Sequence, residues 1–248
     1  QAGNDGQWDP VFCVFLGDDR ESIRNTAIDT LVAIWAVLDE DRRRVRTVEL
    51  LARFNPVDES VAVALAPLLA RLEAPEIRTD LLRRGFLDGN APESVRVAAV
   101  QALGRHAPEQ ALELAAGLES IAPGSVRDAG IDALAVMLRA DFGRARGGQV
   151  LAALASGSGG MSAEQRVALV KTATGAGMAG IEALVPLLNH AEWAGDAARG
   201  IADLVRGDNR RKGLRERPAL EAARKALPLL DEPTRKALER LLNPQNEK

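Results

Sequence analysis

The chain has 248 residues, 46% apolar and 27% charged, which is typical of a folded globular protein forming one substantial unit or two small ones. No apolar run approaches the roughly 18–20 residues that cross a bilayer, which excludes an integral membrane protein and predicts no membrane insertion. Thirty-two basic against 35 acidic side chains give a net charge of −3, which argues against a dedicated nucleic-acid binder.

Helices dominate the predicted structure. Apolar residues recur three and four positions apart, as in helices with one buried face, and strand patterns are nearly absent. Within 93–105, for example, the predicted buried stripe is Val95, Ala99, Val100 and Leu103. Prolines between the stripes mark helix starts. The pattern predicts about fourteen helices, at about 10–17, 21–38, 41–54, 57–73, 75–88, 93–106, 108–120, 124–140, 143–156, 162–175, 178–190, 194–207, 216–228 and 231–243.

Three of these helices share one sequence pattern. Segments 21–31, 93–103 and 124–134 each contain Ser, then Ile or Val, then Arg near the start, with a small residue and Ile or Val further on. Weaker copies begin near 59, 164, 195 and 233. Arg24 and Arg235, taken as equivalent points six intervals apart, give a period of about 35 residues. That period is typical of a repeat made of one two-helix hairpin.

The pattern resembles the HEAT repeats of the armadillo-like α-solenoids, over nearly the whole chain. The resemblance implies an all-α fold, specifically a right-handed α-solenoid of about seven HEAT-like helical hairpins in a single repeat domain over 1–248. Pro186 and Pro228 match the kinked first helix of such a hairpin, whereas Pro67 falls on a second helix. The helix register near 39–73 is therefore left open.

The resemblance also implies a role for the repeated arginines. Arg24, Arg96 and Arg127 lie in the first turn of their second helices, and the family pattern implies a ladder of Arg–Asp contacts between successive repeats. The serines before them, such as Ser22 and Ser94, are interpreted as helix N-caps.

The start of the chain favours a longer protein. It begins at Gln1 rather than Met, and 11–16 is strongly apolar for the outer face of an end repeat. We therefore expect further repeats or another domain before it, so that 1–248 would be the C-terminal part. The excess of arginine over lysine, 27 to 5, is common in chains encoded by GC-rich bacterial genomes.

Residues able to carry catalysis or hold a metal are few. Cys13 is alone in an apolar run, which excludes an internal disulfide and slightly favours the cytoplasm. His106 and His190 lie at helix ends, 84 residues apart, in no metal-binding spacing. No Gly-x-Ser-x-Gly motif occurs. The sequence predicts no catalytic residue, metal or cofactor.

Two sets of residues are candidates for binding a protein partner. Stacked second helices would line a concave surface, and the residue after each Ile or Val of the repeat would point towards it: Asp29, Gln101, Asp132 and Lys171. The second candidate is the basic segment 206–225, with a net charge of +5, against −5 over 1–60. Its interpretation stays open between a solvated loop and a docking patch for an acidic partner, formed by Arg210, Arg211, Lys212, Arg215 and Arg217.

The preferred hypothesis is a non-catalytic scaffold that binds a protein partner through the concave second-helix face. One alternative is a HEAT-like enzyme or enzyme helper, similar to the bilin lyases or to the DNA glycosylases of this fold. Another is a purely structural arm of a larger chain. A deep pocket gathering several ionisable groups would favour an enzyme, and an open groove would favour a scaffold.

Overall fold

The computed structural model describes residues 15–54, 59–72, 74–140, 146–156, 161–207 and 212–243. Over these ranges the chain is all-helical and strand-free, with one isolated antiparallel bridge between Gly207 and Lys212. The helices are α1 (Glu21–Val37), α2 (Glu40–Phe54), α3 (Glu59–Arg71), α4 (Pro75–Leu82), α5 (Glu93–His106), α6 (Ala111–Gly117), α7 (Ser125–Arg139), α8 (Gly147–Ser156), α9 (Ala163–Thr174), α10 (Met178–Leu184), α11 (Ala194–Arg206), α12 (Arg217–Ala226) and α13 (Glu232–Leu242).

The predicted helices are confirmed with small changes at their ends, except that 10–17 lies mostly outside the described residues. The predicted helix 75–88 ends in a π-helical turn, Arg83–Leu87, and 108–120 is α6 between two short 3₁₀ turns. Pro186 and Pro228 belong to 3₁₀ turns after α10 and α12, because proline lacks the N–H that would continue the helix. Pro67 instead lies inside α3.

Side-chain caps define two helix starts. Ser162 accepts a hydrogen bond from the Gln165 backbone N–H at 3.2 Å, and the Gln165 side chain accepts one from the Ser162 N–H at 2.9 Å. This reciprocal capping box starts α9. Asp231 caps α13 by accepting from the Thr234 N–H at 3.0 Å. By contrast, the N-cap of α1 is Arg20 and that of α5 is Pro92. The interpretation of Ser22 and Ser94 as N-caps is therefore wrong.

The described chain divides into two compact units, one comprising 1–110 with 120–133 and the other 111–119 with 134–248. A single continuous solenoid domain remains a prediction. No helix in the described part of the chain has both the length and the apolar character of a membrane span.

In the first unit, α3 is the central helix. It contacts α1 and α5 on either side and α2 and α4 behind. The predicted stripe of α5, Val95, Ala99, Val100 and Leu103, is fully buried, as are Leu65 and Leu69 of α3. Each such large apolar side chain contributes about 1.5–3 kcal/mol through the hydrophobic effect.

Close helix packing requires glycine at one position of this unit. A Cβ added to Gly104 of α5 would lie 2.6 Å from the Cβ and 2.7 Å from the Cα of Ala133, which belongs to α7. Such distances are too short for any side chain larger than hydrogen. The two helices therefore approach each other backbone to backbone at this point.

The second unit repeats the same kind of arrangement. Helix α11 contacts α9 and α13, which lie in one row with it, and α10 and α12, which form a second row behind. Helix α8 contacts α6 and α10. Trp193, just before α11, is completely buried, together with Ile201 and Val205. Gly200 lies against Val170 and Leu184, with room for little more than a hydrogen atom.

Candidate functional site

A groove of about 920 Å³ opens on the face that α1, α3 and α5 form in the first unit. We call it the α1–α3–α5 groove. The helical spacing of four places pairs of small or apolar residues on this face of α3 and α5. The apolar lining is Leu16, Ile28, Val63, Ala64, Pro67, Ala98 and Ala102.

The three helices run in the same direction along this face. The Ser94 hydroxyl, in the first turn of α5, donates to the carboxylate of Glu59, in the first turn of α3. Arg71, the last residue of α3, reaches Asp29 in the middle of α1, with its Nη1 2.6 Å from the carboxylate. One end of the groove therefore carries helix N-termini and the other carries helix C-termini.

The N-terminal end of the groove is acidic. One cation, Arg24, lines it together with four carboxylates: Asp18, Asp19, Glu21 and Glu59. A carboxylate in the first turn of a helix interacts favourably with the helix dipole, which stabilises Glu21 and Glu59 in place. The carboxylates of Asp19 and Glu21 have no cationic partner among the described residues.

The C-terminal end is basic. Arg105 and His106 line it, and Arg71 lies beside them at the end of α3. Burial of the half-buried imidazole lowers the pKa of His106, and the charges of Arg71 and Arg105 lower it further. Arg105 is exposed and has no carboxylate partner within the described ranges.

The two ends are too far apart to act on one bond. Ser94 and His106 are twelve residues apart on α5, so about 18 Å of helix separates them at 1.5 Å per residue. Acid–base catalysis requires groups within about 3 Å of the reacting atoms. The carboxylates that line the groove and the Arg105–His106 pair thus stand at opposite ends of it.

The ladder predicted for the repeated arginines is wrong for Arg24 and Arg127. Arg24 donates to the backbone carbonyls of Asp18 at 2.6 Å and Asp19 at 2.9 Å, and Arg127 donates to the carbonyl of Ile121 at 3.3 Å. Each arginine therefore ties the preceding turn to its own helix. The reason is geometric, because the carbonyls that end the preceding turn lie within reach of a first-turn side chain. Arg96 makes no carboxylate pair in the described structure, and its Nε is buried without a hydrogen-bond partner.

The carboxylate of Asp18 has a different partner. It accepts from the backbone N–H of Arg20 at 2.9 Å and from its Nε and Nη2 at 3.0 Å each. These hydrogen bonds, with the nearby positive charge, lower the pKa of Asp18 to about 2. This pair holds the turn at the acidic end of the groove.

The four residues predicted for a concave binding face are all exposed, and three of them belong to the first unit. Gln101 lines the α1–α3–α5 groove. Asp29 is beside it and is paired with Arg71. Asp132 is exposed on α7 without lining this groove, and Lys171 belongs to the second unit.

Lys171 lies in a second, smaller groove within its own unit. About 440 Å³ opens between α9 and α11, and the charged side chains that line it are Lys171, Asp196, Arg199 and Asp203. Arg166 spans the two helices, with its Nε 3.6 Å from Asp196. Arg166 thus makes an arginine–aspartate contact of the kind predicted for Arg24, Arg96 and Arg127. It lies at a weaker copy of the sequence pattern, where no such contact was predicted.

The basic segment is partly outside the described residues, since Arg210 and Arg211 fall there. Lys212 is exposed and bridges Gly207 through its backbone. Arg215 donates to the carbonyl oxygens of Val205 and, at 3.0 Å, Leu214. Arg217 pairs with Glu221 at 2.7 Å. Arg215 and Arg217 thus have local partners, and a docking patch here remains a prediction.

Two features of the groove were missed in the sequence. The Ser94–Glu59 bond recurs one repeat later, where the Ser125 hydroxyl donates to Glu93. The recurring Glu-Ser pair at 21–22, 59–60 and 93–94 was the available signal. Arg105 and His106 are neighbours in the sequence, but nothing indicated that Arg71 joins them, because only the packing of α3 on α5 brings it there.

Metal binding finds no support in the part of the chain that the structure describes, where no three His, Cys, Asp or Glu side chains are grouped to hold an ion. No protein-family model matches the chain, and no curated protein shows significant similarity to it.

Proposed function

We propose that the protein is a non-catalytic HEAT-like α-solenoid scaffold that binds a segment of a partner protein in the α1–α3–α5 groove. The observation that carries the proposal is the groove itself. It is an open cavity of about 920 Å³ with an apolar middle, and charged side chains without ionic partners stand at its two ends.

The helix packing supports the solenoid. Helices α3, α5 and α7 begin at 59, 93 and 125, and helices α9, α11 and α13 begin at 163, 194 and 232, close to the 35-residue period. Helix α3 packs beside α5, and α4 contacts both from the other row; helix α11 packs beside α9 and α13, and α10 and α12 contact it from the other row. Such two-row stacking, in which each repeat contacts its neighbours, is the arrangement of helical solenoids.

The distribution of charge favours binding over catalysis. The carboxylates that line the groove and the His106 imidazole stand about 18 Å apart, by the helical rise from Ser94, which bonds Glu59, to His106. A binding surface, by contrast, benefits from separated charges, since each can meet its complement on an elongated partner and so fix its orientation.

Selection of displayed random twelve-residue peptides tests the proposal. Ala98→Arg places a long cation in the middle of the groove, and Ala52→Arg makes the same change at an exposed alanine of α2, which belongs to the other row of helices. Both variants are first checked for wild-type circular dichroism. We expect selected peptides that bind the wild type and Ala52→Arg, and that bind Ala98→Arg at least tenfold more weakly.

Two results would contradict the proposal. One is that repeated selections yield no peptide that binds the wild type. The other is that every selected peptide binds Ala98→Arg as tightly as the wild type, because the binding site would then be elsewhere.

A further inference from the structure

We infer that the occupant of the α1–α3–α5 groove is a dipolar protein segment. A carboxylate at one end meets Arg71 and Arg105, apolar side chains cover the middle, and a cationic side chain at the other end meets Asp19 and Glu21. The inference rests on the proposed function, because the same groove must bind a partner for its chemistry to matter.

The charged residues of the groove differ in whether they already have partners. Nearby charges already have partners: Asp18 pairs with Arg20, and Glu59 accepts from Ser94. Asp19, Glu21 and Arg105 line the same cavity and pair with no opposite charge in the described structure. Of these three, the two acids stand at one end and the cation at the other. Arg24 also lines the acidic end, where it donates to the backbone carbonyls of Asp18 and Asp19. A partner with the complementary order of charges satisfies all three.

The basic end is built to receive a carboxylate. Arg105 and Arg71 both act on the half-buried His106, and the only acid facing this cluster from α1 is Asp29, which Arg71 already binds. Two positive guanidinium groups are thus balanced by one carboxylate. A second carboxylate would accept charge-assisted hydrogen bonds from Arg105, which are among the stronger interactions available at a protein surface.

The residues in the middle of the groove determine which side chains the partner segment needs between its two charged ends. Val63, Pro67 and Ala98 lie between them and offer apolar contact, beside the amide side chains of Asn25 and Gln101. Small side chains here leave room for the larger apolar side chains of a partner. A nucleic acid fits poorly, since its phosphates would face Asp19 and Glu21.

The distance between the ends gives the length of the segment. The ends are separated by about 18 Å along the helices and by two interhelical steps of about 8–10 Å across them. The diagonal is about 25 Å, which an extended chain of about eight residues spans at 3.3 Å per residue.

Four acetylated and amidated eight-residue peptides test the inference. They share a Leu-Ala-Leu-Ala centre, and their two-residue flanks are Lys-Lys and Glu-Glu in either order, Lys-Lys twice, or Glu-Glu twice. Binding is measured by calorimetry, and the two imidazoles of the protein are followed by NMR. We expect one dipolar order to bind at least tenfold more tightly than both uniformly charged peptides. We also expect it to raise the pKa of His106 and to leave the His190 resonances in place.

Charge reversal at Arg105 gives the matched test. Arg105→Glu should abolish the tenfold preference for the dipolar peptide. Arg44→Glu, the same change at an exposed arginine of α2, should leave the preference intact.

Each contrary outcome has a defined meaning. Peptides that bind in the groove without regard to charge order overturn this inference and leave the proposed function standing. The same holds if display selects groove peptides while all four designed peptides fail. Failure of both the designed and the displayed peptides overturns inference and function together. A dimer seen by light scattering, and lost in Ala98→Arg, would make a second copy of the chain the occupant and overturn the inference.

Discussion

The Ser94 hydroxyl donates a hydrogen bond to the carboxylate of Glu59, the first residue of the neighbouring helix α3. Ser125 makes the same bond to Glu93 one repeat later. Each bond joins the starts of two parallel helices and opposes sliding of one along the other. The contact occurs twice because Ser94 and Ser125 occupy the same position of successive pattern copies, and Glu59 and Glu93 open the helices before them.

Replacing Ser94 by Ala should destabilise the protein by about 0.5–1 kcal/mol, the net value of one hydrogen bond that is largely solvent-exposed. The measurement is the midpoint of urea unfolding. Ser22→Ala is the control, because Ser22 occupies the same position of the repeat and its hydroxyl has no partner in the described structure. Both changes gain the same helix propensity, so equal midpoints for the two variants would show that the Ser94–Glu59 bond contributes nothing.

Gly104→Ala should lower the free energy of unfolding by about 1–3 kcal/mol, the usual cost of inserting a methyl group into a closely packed interface. Helix propensity alone predicts the opposite, a gain of about 1 kcal/mol for Ala over Gly. The sign of the change therefore decides whether α5 and α7 meet at Ala133. Gly89→Ala is the control, since nothing lies within 4 Å of a Cβ at that position. Thermal or urea unfolding of both variants gives the comparison.

Arg20→Ala should raise the pKa of Asp18 from about 2 towards its ordinary value of 3.8. The Arg20 side chain supplies the largest part of the shift through its hydrogen bonds. Because the folded pKa is depressed, the pair stabilises the fold above about pH 4, and this contribution is lost as the pH falls towards 2. Carboxyl ¹³C NMR across that range measures the change. Arg44→Ala should leave the Asp18 titration as it is in the wild type.

Arg105→Gln should raise the pKa of His106, because one of the two neighbouring positive charges is removed while the burial stays. Since the folded pKa lies below 6.5, the folded state binds fewer protons than the unfolded state just below that pH. Stability therefore rises with pH through this window, and it should rise less steeply in the variant. Imidazole NMR and urea unfolding between pH 5 and pH 7.5 measure both effects. An unchanged titration would show that Arg105 does not face His106.

Local patterns predicted most of the helices and much of the buried surface. Val95, Ala99, Val100 and Leu103 were identified from spacing alone, because a helix with one buried face repeats every three to four residues. The same spacing identified Gln101 as exposed. Spacing does not identify the partner of an exposed side chain. Asp29 is an example, because its contact with Arg71 links residues 42 positions apart.

The repeated arginines show where a correct pattern led to a wrong contact. Their recurrence indicated a shared role, and Arg24 and Arg127 do share one, as ties between a helix and the preceding turn. Whether a guanidinium binds a carboxylate or a carbonyl depends on the path of the preceding turn, which residue type and spacing do not specify.

By itself, the sequence determined the helical class of this protein, the positions of the helices and the 35-residue period, because these depend on interactions within a few turns of the chain. Only the tertiary structure decided which helices meet. These helix contacts in turn form the acidic and basic ends of the α1–α3–α5 groove. Arg71 and Arg105 come from helices whose contact is set by the burial of Leu69 and Leu103 between many neighbours. That packing is a property of the whole unit, and no local segment encodes it.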